Sequence, residues 1–107
     1  MISGDDDVTF PLITLGAVGV ISVLGNAFPR EFSRMTQLAL EGDYAKALPI
    51  HHKFAEMCNL LFVDGNPAGV KAMLSIMGMV ENKLRLPLVP ARQITCEKLS
   101  AAWEKIK

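Results

Sequence analysis

The 107-residue sequence has no charge imbalance, because eleven basic side chains offset eleven acidic ones. Binding nucleic acid through its phosphates requires a basic excess on one face, so that class of partner is not expected. Cysteine is scarce: Cys58 and Cys96 stand 38 positions apart and form no CxxC pattern. They read as reduced core thiols rather than a disulfide framework. Positive charge is missing from the N-terminal end, where Asp5, Asp6 and Asp7 stand instead, so a secretory signal of the usual kind is not expected there. Internal repeats and low-complexity tracts are absent. Disorder is not expected either, with charged residues at 21% and a mean hydropathy of +0.30.

The longest absence is of charge itself. None occurs from Val8 through Pro29, 22 residues in all, which is long enough to span a hydrocarbon layer. Pro11, Gly16, Gly19 and Gly25, with Thr9, Thr14, Ser22 and Asn26, argue against one membrane helix. The period also changes midway. Phe10, Leu12, Ile13 and Leu15 suit a short helix, whereas Val18 to Val23 is a β-branched run of strand length. An unbroken apolar strand belongs to a parallel sheet covered on both faces, so Val18 to Val23 is expected to be buried.

From Pro29 the chain reads as successive helices. Pro29 suits a first helical position, and Phe32, Met35, Leu38 and Ala39 recur at spacings of three and four. Gly42 should stop that helix and Asp43 should cap the next. The next stripe is Ala47, Ile50, Phe54, Met57, Cys58, Leu61 and Phe62, with Pro49 expected to kink the helix or delay its start. Asp64-Gly65-Asn66-Pro67 reads as a turn, an Asn cap and a first-turn proline for a third helix, which carries Val70, Met73, Leu74 and Met77 and stops at Gly78. Two prolines keep Leu84 to Pro90 out of regular helix. A last helix, from about Thr95 to Ile106, should bury Leu99, Ala102, Trp103 and Ile106.

Chemistry-bearing clusters are few. His51 and His52 are adjacent, so on a helix they point about 100° apart and cannot share a metal; they read as surface or partner contacts. Asp5 to Asp7 lack a further acidic ligand within reach, and Asp6 or Asp7 is a natural N-cap for the helix that follows. Met57, Met73 and Met77 fall at helical spacing and read as core filling.

The order is strand remnant, helix, strand and helix, followed by three more helices. One full strand cannot make a parallel sheet by itself. Ser3-Gly4-Asp5-Asp6, and then Gly19-Val20-Ile21-Ser22-Val23 with Asn26, resemble the last two strand ends of the dihydrodipicolinate synthase family. Asn66-Pro67-Ala68-Gly69-Val70-Lys71 and Leu84-Arg85-Leu86-Pro87 are similar to that family's C-terminal helical segments, in order and spacing. Sister pyruvate aldolases such as N-acetylneuraminate lyase share the architecture but resemble these segments less.

The resemblance implies a mostly α chain that is the C-terminal fragment of a (β/α)₈ TIM barrel. Residues 1–28 would be the end of the barrel (strand-seven remnant, helix seven, strand eight), and residues 29–107 helix eight with the appended helices. Barrels of this kind need about 250 residues. It further implies a cytoplasmic lyase that condenses pyruvate with aspartate 4-semialdehyde through a Schiff base, in lysine and diaminopimelate biosynthesis. No metal or organic cofactor, nucleic acid or membrane takes part, and the parent is expected to be a homo-oligomer. A Schiff base needs a lysine at a barrel strand end with a tyrosine or threonine to shuttle protons. The first lysine here is Lys46 and the only tyrosine is Tyr44, both in the helical half, so the family's catalytic residues have no counterpart in this chain. What carries over is substrate-binding: Ile21, whose family counterpart contacts pyruvate through its main chain, and Gly4, Asp5 and Asp6 on the rim where the second substrate enters. With strand one missing, residues 1–28 are expected to refold as helix or to pair with another copy of the chain. The rival readings are a freestanding helical partner-binding module and a membrane-anchored helical protein using Val8 to Pro29.

Overall fold

The computed structural model describes all 107 residues, which form two compact units, Met1–Ala55 and Glu56–Lys107. In the first unit Met1 to Ser3 runs parallel to Val18 to Ile21, bridged at Ser3 and Val20. Ser3 donates its N–H to the Gly19 carbonyl at 2.8 Å, Ile21 donates to the Ser3 carbonyl at 3.0 Å, and Val18 donates to the Met1 carbonyl at 2.9 Å. Between the two segments lie a 3₁₀ turn, Asp6–Val8, and helix α1, Thr9–Thr14. Ile13 and Thr9 form the buried side of α1, and Gly16 leaves it at φ +106°, a conformation glycine adopts without a Cβ clash.

The extended pairing corrects two expectations. Residues 18–23 do not refold as helix, because three hydrogen bonds to residues 1–3 hold 18–21 extended. Nor are they a buried strand: Val18 is 65% and Ile21 78% exposed. The physical reason is local. Only one edge of the segment is paired, and the N–H and C=O of Val20 make no backbone hydrogen bond on the other. The strand is also shorter than expected, since helix α2, Leu24–Ala27, begins immediately after Val23.

Helix α3, Pro29–Leu40, follows the sequence pattern: Phe32, Met35, Leu38 and Ala39 are its buried residues. It packs against α1, α2 and α4, where α4 spans Tyr44–Lys53. Burying each large side chain of such a stripe contributes roughly 1.5–3 kcal/mol. Gly42, at φ +83°, ends α3, and the Asp43 carboxylate accepts the Lys46 N–H at 3.3 Å to cap α4. Pro49 neither delays nor ends α4, which starts before it and runs on to Lys53; the break falls at Phe54. Phe54 is buried and its ring lies 5.0 Å from that of Phe28.

The second unit holds α5 (Ala55–Phe62) from its second residue onward, α6 (Ala68–Ile76) and α7 (Gln93–Ile106), with a long non-helical segment between α6 and α7. Met57, Cys58 and Leu61 of α5, Val70 and Met73 of α6, and Leu99 and Ala102 of α7 are buried. Phe62, expected on the apolar stripe, is 40% exposed, because α5 ends there and the chain turns away. Asn66 does not cap α6: the N-cap residue is Pro67 and no side chain bonds to it. Cys58 and Cys96 form no disulfide. The tightest joint of the unit is at Gly69, where a Cβ would lie 2.6 Å from the Leu61 carbonyl carbon and 2.8 Å from its Cα. Only a residue without a side chain lets α6 approach α5 this closely.

Candidate functional site

Parallel pairing has a geometric consequence. The residues that follow Ser3 and those that follow Val20 emerge at the same end of the two segments, so Gly4, Asp5, Asp6 and Ile21 are brought together. Ile21 is tied directly to this corner by its hydrogen bond to the Ser3 carbonyl. Its own carbonyl makes no backbone hydrogen bond and the residue is exposed, which leaves one main-chain acceptor without a backbone partner. Gly4 and Asp5 are exposed as well.

Asp6 differs from its neighbours. It is only 3% exposed, and its Oδ2 accepts the N–H groups of Val23 at 3.0 Å and Leu24 at 2.8 Å. A carboxylate at a helix start satisfies donors that the helix itself cannot, and it meets the positive end of the peptide dipoles. The helix capped is α2, seventeen to eighteen residues further on, not the one that follows Asp6. Asp5, which precedes the 3₁₀ turn, makes no side-chain cap bond. The expected local cap is therefore a long-range one. Asp6 positions the stretch immediately after Ile21, while its second oxygen, Oδ1, is buried without a hydrogen-bond partner.

Two small polar residues complete the corner. The hydroxyls of Ser3 and Thr9 lie 2.9 Å apart, Ser3 donates to the Asp5 carbonyl at 3.0 Å, and Thr9 donates to the same carbonyl at 2.9 Å. Both side chains are buried, so the loop from Gly4 to Val8 is fixed from beneath. Nothing in the sequence marks this contact, because an isolated Ser and Thr six residues apart carry no local signal of it. Beside this corner, a hydrogen bond shared with Asp5 raises the Asp7 carboxyl above its usual value, with burial and the Asp5 charge acting in the same direction. Two carboxylates this close favour retaining a proton.

His51 is not a plain surface residue. Its ring stacks on Phe10 at 5.4 Å, and Tyr44 meets the same Phe10 edge-on at 5.8 Å. Partial burial, and next the charge of His52, lower the His51 pKa, against a smaller opposing effect of Asp7. Tyr44 is thus engaged with an aromatic ring, and the Lys46 ammonium lies 3.7 Å from Asp43. Neither is placed at the corner. No three His, Cys, Asp or Glu side chains converge to hold a metal ion, and no helix is long and apolar enough to cross a membrane. The corner can offer a main-chain acceptor and an exposed carboxylate to a ligand, but it has no amine nucleophile.

Residues 1–106 match the model of the dihydrodipicolinate synthetase family. The chain is 74% identical over 107 residues to 4-hydroxy-tetrahydrodipicolinate synthase of Phocaeicola vulgatus, a match that covers 100% of this chain and 36% of that protein. Dihydrodipicolinate synthase from Thermotoga maritima superposes with a TM-score of 0.92 at 42% identity, covering 96% of this chain and 35% of the other. The chloride-inhibited dihydrodipicolinate synthase of Acinetobacter baumannii, solved in complex with pyruvate, gives a TM-score of 0.93 at 36% identity over 99% of this chain and 37% of that one. The chain spans about a third of the length of the relatives it matches. The four motifs read from the sequence, the paired strand ends and the helices that follow them in the chain all lie within the matched residues, and the chain belongs to the dihydrodipicolinate synthetase family.

Proposed function

We propose that this chain is the C-terminal portion of a lyase that condenses pyruvate with aspartate 4-semialdehyde to 4-hydroxy-tetrahydrodipicolinate. In this reading residues 1–28 are the end of a (β/α)₈ barrel, and residues 29–107 its last helix and appended helices. The observation that carries it is the parallel Ser3–Val20 bridge, which sets Ile21 beside Gly4 and Asp5 at the C-terminal end of both segments. Barrel enzymes build their sites at that end of the strands. The Ile21 carbonyl meets pyruvate, and Gly4 and Asp5 line the rim where the semialdehyde enters. Asp6 positions the turn after Ile21 through Val23 and Leu24. The Schiff-base lysine and its proton-shuttling tyrosine lie in the remainder of the parent, so this chain alone is inactive, and the parent is a homo-oligomer in the cytoplasm.

A chimera tests this. These 107 residues replace the matched third of the Phocaeicola vulgatus synthase, and formation of product from both substrates is followed. The chimera should turn over within about tenfold of that enzyme, a loss of no more than about 1.4 kcal/mol in transition-state stabilisation. Asp6→Ala in the chimera should raise the KM for pyruvate, because the Ile21 main chain loses its support. A folded but inactive chimera, or an Asp6→Ala variant with unchanged KM, would overturn the reading.

A further inference from the structure

In the second unit, a concavity of about 430 Å³ is lined by Pro67, Lys71, Lys83, Leu84, Arg85 and Leu88. No carboxylate is among them. Elsewhere in this unit Arg92 pairs with Asp64, Lys105 with Glu56, and Lys107 with Glu104. Lys71 and Arg85 have no such partner, and Lys83 has only Glu81, at 3.2 Å with both side chains about four-fifths exposed. An ion pair that open to water contributes little and exchanges readily for another anion. Three cations of one sign therefore face a single hollow, and negative charge brought into it relieves their repulsion.

The hollow is also shaped by its backbone. The Leu88 N–H donates to the Arg85 carbonyl at 3.0 Å, closing a turn that holds both residues on the rim, and Lys71 N–H donates to the Pro67 carbonyl at 2.9 Å. The guanidinium offers two parallel donors to a carboxylate or phosphate, which a lysine does not. Leu84, Leu88 and Pro67 supply apolar surface alongside the charges. The volume falls within the range of small-molecule sites.

We propose that this hollow is a binding site for a small organic anion: a phosphate or carboxylate group held by Arg85, Lys71 and Lys83, with a hydrocarbon body lying on Leu84, Leu88 and Pro67. The proposal concerns residues remote in sequence from Ile21 and does not depend on the lyase reading.

The test is an NMR titration of the full 107-residue chain with inorganic phosphate and, separately, with phenyl phosphate. The two carry the same anionic group and differ by an apolar ring. Phenyl phosphate should bind about tenfold more tightly, as expected where a ring gains apolar contact. Its shifts should map to residues 67–71 and 83–88. Arg85→Gln and Lys71→Gln should each weaken binding about fivefold or more, while Lys98→Gln, which removes another unpaired cation of the same unit, should change it less than twofold. All three positions lie where the melting curve can confirm an intact fold. Equal affinity for the two probes would mean a generic ion effect and overturn the proposal. So would equal losses in Arg85→Gln and Lys98→Gln, or no saturable binding of phenyl phosphate.

Discussion

Each unit fastens a helix start with an aspartate from a distant segment, but in different surroundings. In the first, Asp6 is buried and one oxygen takes two backbone N–H groups, with no cation among its hydrogen-bond partners. In the second, Asp64 accepts the Arg92 N–H at 2.8 Å at the start of α7, and also the Arg92 guanidinium, through Nε at 3.0 Å and Nη2 at 2.9 Å. The first carboxylate is stabilised by peptide dipoles in a dry place. The second is stabilised by a cation whose side chain is 69% exposed. Removing the first leaves buried donors without a partner, whereas water can replace much of the second. One joint supports the corner that holds Ile21, and the other closes a structural helix.

The largest effect tests the tightest joint rather than either aspartate. Gly69→Ala should destabilise the second unit by about 3 kcal/mol, the upper range for overpacking, because the Cβ meets Leu61 backbone and not a movable side-chain end. Urea unfolding followed by Trp103 fluorescence measures it. Next comes Asp6→Ala, with an expected loss of about 2 kcal/mol from two charge-assisted hydrogen bonds and the donors left behind. Amide exchange at Val23 and Leu24 should accelerate in that variant, and unchanged exchange there would refute the cap.

Asp64 should matter less at neutral pH and show a distinct acid signature. Hydrogen bonds from the Arg92 guanidinium first, then from Thr95 and the Arg92 backbone, lower its pKa from 3.8 to about 2. A folded pKa below the unfolded one means the contribution is complete above pH 3.8 and is lost as pH falls from 3.8 toward 2. Asp64→Asn should therefore be less stable than the parent chain at pH 7 and converge with it near pH 2, as thermal melts across that window would show.

The smallest effect has the opposite sign. Asp7 has a raised pKa, chiefly through its hydrogen bond with Asp5, so its ionised form opposes folding above that pKa, and the cost fades as pH drops to 3.8 and below. Asp7→Asn should stabilise slightly at pH 7, within the about 0.5 kcal/mol of an exposed substitution, and should have no effect in strong acid.

The helical half was legible because its signals are local. Pro29, Gly42 and Asp43 mark boundaries by their own backbone chemistry, and Phe32, Met35, Leu38 and Ala39 report one face by spacing alone. The corner was legible only in part. Nothing within a few residues of Asp6 says that its partners are Val23 and Leu24, and the same holds for Asp64 and Arg92, 28 positions apart. The β-branched run at 18–23 signalled an extended segment correctly. Its exposure was misread because burial depends on what pairs with the second edge, which hydropathy does not encode. The delayed start expected at Pro49 is not found, because a proline penalty is a local tendency and α4 runs through it while packed on α3.

The proposal at the centre of this account is that the chain supplies one wall of a pyruvate site and none of its amine chemistry. Pyruvate with borohydride tests it most directly. Where an unprotonated lysine amine attacks the pyruvate carbonyl, water leaves and the imine is reduced by hydride to a stable secondary amine that mass spectrometry locates. The 107-residue chain alone should give no site-specific adduct on any of its seven lysines, and the chimera should give one adduct, on a lysine outside these residues. A stoichiometric adduct on Lys46, or on any single lysine of this chain, would contradict the account.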